Sequence, residues 1–233
     1  MELPESLPAR LYLVSYDLDR QRPTGRTYLG YLLRAAALTD LFLAGHLADV
    51  KGKVQVKNPP TTRTTTPTAA RMIQPVPATG RTRAMDPLLE DVLKQVAGSS
   101  RPRSWKYWVR KNSRPAVRAV RDQLETAGWI RVEPHRILHL FPADTITVRD
   151  PRVVRELRDN AGRVARGSVP PAHVDPYDAA VVALAAAARL KTVLTRAQRR
   201  EHRARITRLT ELCGPPPIAL RKVIAADEAS AAS

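Results

Sequence analysis

The residues with the clearest chemical potential are basic and aromatic, and they alternate along the segment from Arg101 to Arg121. This segment contains eight basic residues and no acidic one. Three aromatic residues are interleaved with them: Trp105, Tyr107 and Trp108. Helical spacing places Arg114, Arg118 and Arg121 on one face, at positions i, i+4 and i+7. Because a guanidinium group can donate two parallel hydrogen bonds, such a face is suited to phosphate oxygens.

Arg34 is a second unusual basic residue, because it lies inside the very apolar stretch from Thr27 to Ala44. None of its helical neighbours three and four positions away is acidic: Gly30, Tyr31, Ala37 and Leu38. A buried charge without a partner is costly, so Arg34 requires a partner from elsewhere in the chain or from a ligand. The local sequence leaves two alternatives open, a distant carboxylate or a bound anion.

The remaining reactive residue types show no catalytic or metal-binding pattern. The five histidines lack metal-ligand spacing, and Cys213 is the only cysteine, which excludes internal disulfides and multi-thiolate zinc sites. The sequence has no phosphate-binding loop, glycine-rich dinucleotide turn or nucleophile elbow. We therefore expect a protein that is not an enzyme and that has no cofactor and no metal.

The most apolar predicted element is a helix from Thr27 to Ala44, and Gly45 follows it as a left-handed cap. Its apolar residues lie on nearly every face, which predicts a buried central helix. Further helices begin at the Asp-Pro pairs 86–87, 150–151 and 175–176, where an N-cap residue precedes a proline.

The basic segment is predicted to continue as a helix over 114–127, with Ala116, Val120 and Leu124 as its core-facing stripe. Gly128 ends this helix. Residues 129–132 and 135–141 then predict a β-hairpin with its turn at 133–135. The expected fold class is mainly α: a single globular helical domain over residues 5–226 around a hydrophobic central helix, with one or two small β-hairpins. Residues 58–83 are predicted to be a mobile Pro/Thr-rich insertion, and residues 227–233 a disordered tail.

The net charge of +17 favours polyanionic partners. In one interpretation, residues 86–141 form a winged-helix nucleic-acid binder whose basic helix contacts phosphates. In the other, the basic and aromatic residues contact an anionic membrane surface. Composition alone does not separate these two interpretations.

The order of several motifs resembles the Golgi phosphoprotein 3 family. Residues 28–38 are similar to that family's leucine–arginine–small-residue helix, and residues 79–93 to its glycine–aspartate, leucine-leucine-acid segment. The segments 124–130 and 138–142 resemble its helix stop and hairpin. The resemblance extends from about Leu7 to Ala226.

The resemblance implies a helical protein that binds phosphatidylinositol 4-phosphate in a basic pocket at the cytosolic membrane face. Two of the family's headgroup-binding arginines fall on Arg34 and Arg114. A third basic position falls on Val117, with Arg118 beside it, and the family's pocket tryptophan falls on Gly25, with Arg26 beside it. Headgroup-binding residues are therefore expected at Arg34, Arg114, Arg118 and Arg26.

The family also implies further contacts and a location. The hairpin residues Ile137, Leu138, Leu140 and Phe141 are expected to insert into the membrane or to pair with a second copy, and an ordinary core strand is the alternative. The expected partners are anionic phospholipid headgroups and, as in eukaryotic members, the cytoplasmic tails of membrane enzymes. The expected location is cytoplasmic, peripheral to the membrane.

Overall fold

The computed structural model describes residues 3–25, 27–57, 85–137 and 141–232. This part of the chain is mainly helical, with ten α-helices and small antiparallel sheets, and the predicted fold class is confirmed. The predicted insertion at residues 58–83 lies outside the described residues. The predicted buried central helix is also observed.

The elements follow the chain in a simple order. The helices are α1 Leu7–Ser15, α2 Leu29–Leu43, α3 Pro87–Ala97, α4 Trp105–Arg110, α5 Ser113–Thr126, α6 Pro151–Arg166, α7 Pro176–Ala187, α8 Arg196–Glu201, α9 Arg203–Leu212 and α10 Pro215–Ala231, with a 3-10 turn at Pro171–His173. The strands are β1 Tyr16–Asp17, β2 Arg22–Pro23, β3 Leu47–Val50, β4 Lys53–Val56, β5 Arg103–Ser104, β6 Ile130–Ile137 and β7 Phe141–Val148. They form the sheets β1-β2, β3-β4-β5 and β6-β7.

The helix α2 forms the centre of the molecule. The residues from Leu32 to Leu41 are all buried, as expected for a helix that is apolar on every face. Six helices pack around it: α1, α3, α4, α5, α7 and α10. Gly45 follows α2 with a positive φ of 78°, which a glycine adopts without steric cost and which ends the helix as predicted.

A buried carboxylate joins three of these helices. Asp40 of α2 accepts a hydrogen bond from the backbone amide of Leu7, which begins α1, over 2.9 Å. Its other oxygen accepts from the hydroxyl of Tyr177 in α7 over 3.2 Å. Burial raises the pKa of Asp40, while these two hydrogen bonds lower it. The central helix is thus held to its neighbours by hydrogen bonds as well as by apolar packing.

The β6-β7 hairpin differs from the predicted one. The predicted turn at 133–135 lies inside β6, and the observed register pairs Ile130 with Val148 and Ile137 with Phe141. Pro134 lies within β6, opposite Asp144, because an edge strand accepts proline where the ladder needs no donor. The partner strand includes the β-branched run Thr145–Val148, which the sequence analysis left unassigned.

The C-terminal helix also extends further than predicted. Residues 227–233 were predicted to be a disordered tail, whereas α10 continues to Ala231. Two ion pairs hold this last part of the helix: Asp227 with Arg110, and Glu228 with Arg189. These contacts join residues more than thirty positions apart, so the local composition gave no sign of them.

Candidate functional site

Arg34 lies in the middle of α2 and is completely shielded from solvent, with 0% of its surface exposed. Its Nε donates to the carbonyl oxygen of Trp108, and its Nη2 donates to Oε1 of Gln95, each over 3.2 Å. The remaining nitrogen, Nη1, is buried without a hydrogen-bond partner among the described residues. Arg34 therefore joins α2 to α3 and α4 through uncharged acceptors, with one nitrogen left unpaired.

The positive charge of Arg34 is linked to a carboxylate through an intermediary. Gln95, which accepts from Arg34, donates from Nε2 to Oδ2 of Asp91 over 2.6 Å. Within the described ranges, no carboxylate forms a salt bridge with Arg34. Burial lowers the pKa of Arg34 to about 10, and the charge of Asp91 opposes this effect. Arg34 is thus still protonated at neutral pH, so the core contains a positive charge.

Gly30 brings the start of α5 against the start of α2. A Cβ atom at Gly30 would lie 2.3 Å from the backbone oxygen of Ser113, so a larger residue would force the two helices apart. Arg34 lies one helical turn after Gly30, and Arg114 directly follows Ser113. Both arginines are therefore close to the same helix junction, with Arg34 in the interior and Arg114 exposed at the surface.

The two faces of α5 are divided as predicted. Ala116, Val120 and Leu124 are buried, whereas Arg114 and Arg118 are exposed. The third arginine of the predicted basic face has a partner, because Nη2 of Arg121 donates to Oδ2 of Asp144 in β7 over 2.6 Å. Two of the three arginines therefore remain available for an external anion, and the third attaches α5 to the hairpin.

A cluster of aromatic and basic side chains lies on the neighbouring helix α4. The ring of Tyr107 is 39% exposed, and the guanidinium of Arg103 lies 5.1 Å from its centre. The ammonium of Lys111 lies 5.8 Å from the same ring and 5.0 Å from the ring of Trp108, which is fully buried. Cations over aromatic faces are held by the ring quadrupole, so this cluster presents oriented positive charge next to a partly exposed aromatic ring.

The predicted site residues occupy different environments. Arg34 is enclosed, so a direct headgroup contact at Arg34 stays a prediction, while Arg114 and Arg118 are accessible. The family positions that have changed are Gly25, which is exposed with φ +64°, and Val117, which is half-buried. Three predicted contact residues lie outside the described residues: Arg26, Leu138 and Leu140. The other two hairpin residues are known by their backbone alone, Ile137 at the end of β6 and Phe141 at the start of β7.

Sequence reasoning missed the residues that hold Arg34. The sequence predicted a distant carboxylate or a bound anion as the partner of Arg34, whereas the observed acceptors, Gln95 of α3 and the Trp108 carbonyl of α4, carry no charge. One signal was present in the sequence: Asp91 and Gln95 are spaced i, i+4, as expected for a contact between them on a helix. No local pattern indicates that this pair faces Arg34.

Comparison with known proteins supplies the family. A search of the curated proteins gave no match to this sequence. In contrast, the model of the Golgi phosphoprotein 3 (GPP34) family matches residues 7–226, which is nearly the whole chain and agrees with the extent of the resemblance in the sequence. The chain therefore belongs to the Golgi phosphoprotein 3 (GPP34) family, a family of non-enzymatic adaptors known for binding phosphatidylinositol 4-phosphate.

Proposed function

We propose that this protein is a peripheral membrane protein that binds anionic phospholipid headgroups, with phosphatidylinositol 4-phosphate as the reference ligand. The binding surface is the exposed side of the α2–α5 junction, where Arg114 and Arg118 contact the phosphate. Arg26, which lies outside the described residues, is a further contact residue in this proposal. Arg34 contributes a positive charge from inside the fold.

The observation that carries the proposal is the buried, protonated Arg34 one helical turn from Gly30, whose contact with Ser113 positions the exposed Arg114. Burying a charge without an ion-pair partner costs free energy, and among the described residues Arg34 has only neutral acceptors, with Nη1 unpaired. A charge inside the protein is screened by salt much less than a surface charge. An anion bound at the junction would therefore be stabilised by Arg34 even without touching it.

The rest of the molecule favours association with an anionic surface. Each basic residue near such a surface contributes roughly 1 kcal/mol, and the chain has a net charge of +17. Tyr107 adds a partly exposed ring of the kind enriched at membrane interfaces. The hairpin residues Ile137, Leu138, Leu140 and Phe141 are, in this proposal, the part of the chain that enters the bilayer.

The proposed location is the cytosolic face of a membrane, which is the Golgi membrane where the host cell has one. None of the helices in the described ranges combines the length and apolarity needed to cross a bilayer. The proposed protein partners are the cytoplasmic tails of membrane enzymes, and a second copy of the chain is the proposed partner for the hairpin edge.

The central experiment is a flotation assay with three kinds of vesicle at about 150 mM salt. Vesicles of phosphatidylcholine alone, with phosphatidylserine, and with phosphatidylinositol 4-phosphate are compared, and mixed-sequence duplex DNA is added as a competitor. We expect the protein to float with the phosphoinositide vesicles and DNA to compete weakly. Tight DNA binding without vesicle binding would instead support the winged-helix alternative.

A pair of variants locates the site within this assay. Arg114→Ala should weaken binding to the phosphoinositide vesicles by about tenfold, because a charge-assisted guanidinium–phosphate contact is among the stronger hydrogen bonds. Arg203→Ala removes one exposed arginine at the start of α9 and serves as the control for net charge. Equal losses in the two variants would contradict the proposed location.

A further inference from the structure

The end of α10 lies against the basic surface formed by α4. The Nη2 of Arg110 donates to Oδ1 of Asp227, and the same nitrogen lies 3.5 Å from the backbone oxygen of Val223 one turn earlier. Arg110 is the last residue of α4, and Asp227 lies in the last turns of α10. An acidic side chain of α10 therefore neutralises a basic side chain at the end of α4.

Tyr31 connects this ion pair to the α2–α5 junction. Tyr31 follows Gly30, which contacts Ser113 at the start of α5. Burial raises the pKa of Tyr31 first, and a hydrogen bond to the carboxylate of Asp227 raises it further. The charges of Arg110 and Arg114 act on the same hydroxyl in the opposite direction. Residues of α2, α4 and α10 thus meet around one carboxylate, and the charge of Arg114 at the start of α5 acts on the same hydroxyl.

The Arg110–Asp227 ion pair is accessible enough to exchange. The side chain of Arg110 is 48% exposed and that of Asp227 is 28% exposed. An ion pair in contact with water contributes little net stability, because water already solvates both charges well. An incoming anion with more charge than a carboxylate can therefore replace Asp227 at Arg110 without unfolding α10.

We propose that Asp227 is an internal competitor for the headgroup site, and that Arg110 and Tyr31 are further headgroup-binding residues that it occupies in the unbound protein. This inference rests on the proposed function and specifies the ligand chemistry of that site as a phosphate monoester. A phosphate monoester carries a charge of about −1.5 to −2 and three acceptor oxygens, whereas Asp227 carries one negative charge. The phosphate oxygens can accept from the Arg110 guanidinium and the Tyr31 hydroxyl, both of which Asp227 occupies in the unbound protein. The exposed Arg114, whose positive charge acts on the same hydroxyl, offers a further donor.

The chain provides a matched control at the adjacent residue. Glu228 follows Asp227 in α10 and accepts from Nη1 of Arg189 over 2.7 and 2.8 Å. Arg189 lies in the turn after α7, not on α4 or α5. Asp227→Asn and Glu228→Gln each remove one exposed ion pair at the end of α10 and each raise the net charge by one. Generic attraction to an anionic membrane therefore increases equally in both variants.

The experiment measures dissociation constants of the full chain for vesicles with phosphatidylinositol 4-phosphate and for vesicles with phosphatidylserine at equal surface charge. We expect Asp227→Asn to tighten binding to the phosphoinositide vesicles by about two- to fivefold relative to Glu228→Gln, the range released by one exposed ion pair. On phosphatidylserine vesicles the two variants should not differ. Arg110→Gln and Tyr31→Phe should weaken phosphoinositide binding. In the Arg110→Gln background, the further change Asp227→Asn should tighten phosphoinositide binding less than it does in the wild type, because Asp227 then occupies Tyr31 alone.

Soluble inositol 1,4-bisphosphate distinguishes a phosphate site from a lipid site. If the soluble compound displaces vesicles from the protein, and does so at a lower concentration for Asp227→Asn than for Glu228→Gln, then the phosphate monoester is sufficient to displace Asp227. If it does not compete while the vesicle difference persists, displacement requires the lipid surface and the inference holds for the membrane-bound headgroup.

Two outcomes would overturn the inference. In the first, Asp227→Asn and Glu228→Gln bind phosphoinositide vesicles equally, and Arg110→Gln and Tyr31→Phe bind as well as the wild type. This result would show that Asp227 does not compete for the site. The proposed function would still stand, provided that the wild type binds these vesicles. Absence of wild-type binding to phosphoinositide vesicles would overturn both proposals. Circular dichroism verifies folding, and Arg110→Lys, which keeps the charge, replaces Arg110→Gln should that variant unfold.

Discussion

Arg34 is held by hydrogen-bond acceptors that carry no charge, and this determines how strongly its positive charge acts on an anion at the protein surface. The Trp108 carbonyl and the Gln95 amide orient the guanidinium, but they do not neutralise it. A direct carboxylate partner would have cancelled most of its field at the surface. The Trp108 carbonyl and Gln95 satisfy two of its nitrogens, and the indirect link through Gln95 to Asp91 leaves Arg34 with a substantial field.

We predict that the contribution of Arg34 to vesicle binding can be separated from its contribution to folding. Arg34→Gln places an amide nitrogen where Nε of Arg34 lies, so it keeps a donor for the Trp108 carbonyl, but it loses the donor to Gln95 and removes the buried charge. It should remain folded, because the cost of burying a charge disappears together with the lost hydrogen bonds. Binding to phosphoinositide vesicles should weaken by about fivefold, the equivalent of roughly 1 kcal/mol for one cation near an anionic surface.

Thermal unfolding and vesicle flotation measure the two effects, and Arg203→Gln controls for loss of net charge. A strongly destabilised Arg34→Gln that still binds vesicles like the wild type would assign Arg34 a purely structural role. The sequence was sufficient to single out Arg34 as a cation without a local partner. It could not supply Gln95 and Trp108, because 61 and 74 residues separate them from Arg34.

The helix pair α2 and α5 sets the position of Arg114 through one close backbone contact. Gly30 is in the first turn of α2, and its missing side chain allows the carbonyl of Ser113 to approach. The contact is with backbone atoms of a helix start, which cannot rotate away as the end of a long side chain can. The packing of these two elements therefore depends on a single hydrogen atom in place of a methyl group.

Gly30→Ala should accordingly destabilise the protein by about 1–3 kcal/mol, the usual cost of overpacking. Alanine favours a helix over glycine by about 1 kcal/mol, but the clash at 2.3 Å outweighs that gain. Vesicle binding should also weaken, because Arg114 moves with α5. Urea unfolding and flotation provide the measurements.

Gly162 provides the control for this prediction. It is buried within α6, and a Cβ there would meet the guanidinium of Arg166 at 3.0 Å, a flexible group that can move aside. Gly162→Ala should therefore be neutral or stabilising. A neutral Gly30→Ala would mean that the α2–α5 contact tolerates separation and does not position Arg114.

Helices with a strong periodic pattern of apolar residues could be predicted from the sequence. Strands were harder to predict, because their positions depend on how they pair with each other. The stripe Ala116, Val120 and Leu124 follows from 3.6-residue periodicity, and the structure confirms it. The hairpin was predicted to exist, but its turn was placed wrongly at 133–135, because the β-branched run at 145–148 was not identified as the second strand. The register of a hairpin depends on both of its strands, and the sequence analysis did not identify β7.

For the whole molecule, stability should fall in alkaline solution through groups that are buried in their neutral form. Burial raises the pKa of the Cys213 thiol from 9.0 to about 12. Burial together with Asp40 also raises the pKa of Tyr177 to about 12. In the unfolded chain both groups ionise at lower pH, so ionisation of the unfolded state draws the equilibrium towards unfolding as pH rises.

The contribution of Cys213 can be isolated with Cys213→Ala. Below pH 9 the thiol is neutral in both states, and the variant should be less stable than the wild type because of the cavity it leaves. Above pH 9 the wild type should lose about 1.4 kcal/mol per pH unit that the variant does not lose, until the pH approaches 12. The stability difference between the two proteins should therefore shrink between pH 9 and 10.5.

Urea unfolding at pH 7, 9 and 10.5 under reducing conditions tests this prediction. Parallel loss of stability in wild type and Cys213→Ala would show that the thiol does not carry the effect. Tyr177 is unchanged in both proteins, so its contribution cancels in the comparison.

The helix α10 also has a practical consequence for how binding is measured. Its last turns carry Asp227, which pairs with Arg110 and Tyr31. A fluorescent protein or affinity tag joined directly after α10 would sit within a few residues of that ion pair and would obstruct contact with a vesicle. Reporters for this protein are therefore better attached on another element, for example at an exposed position of α9.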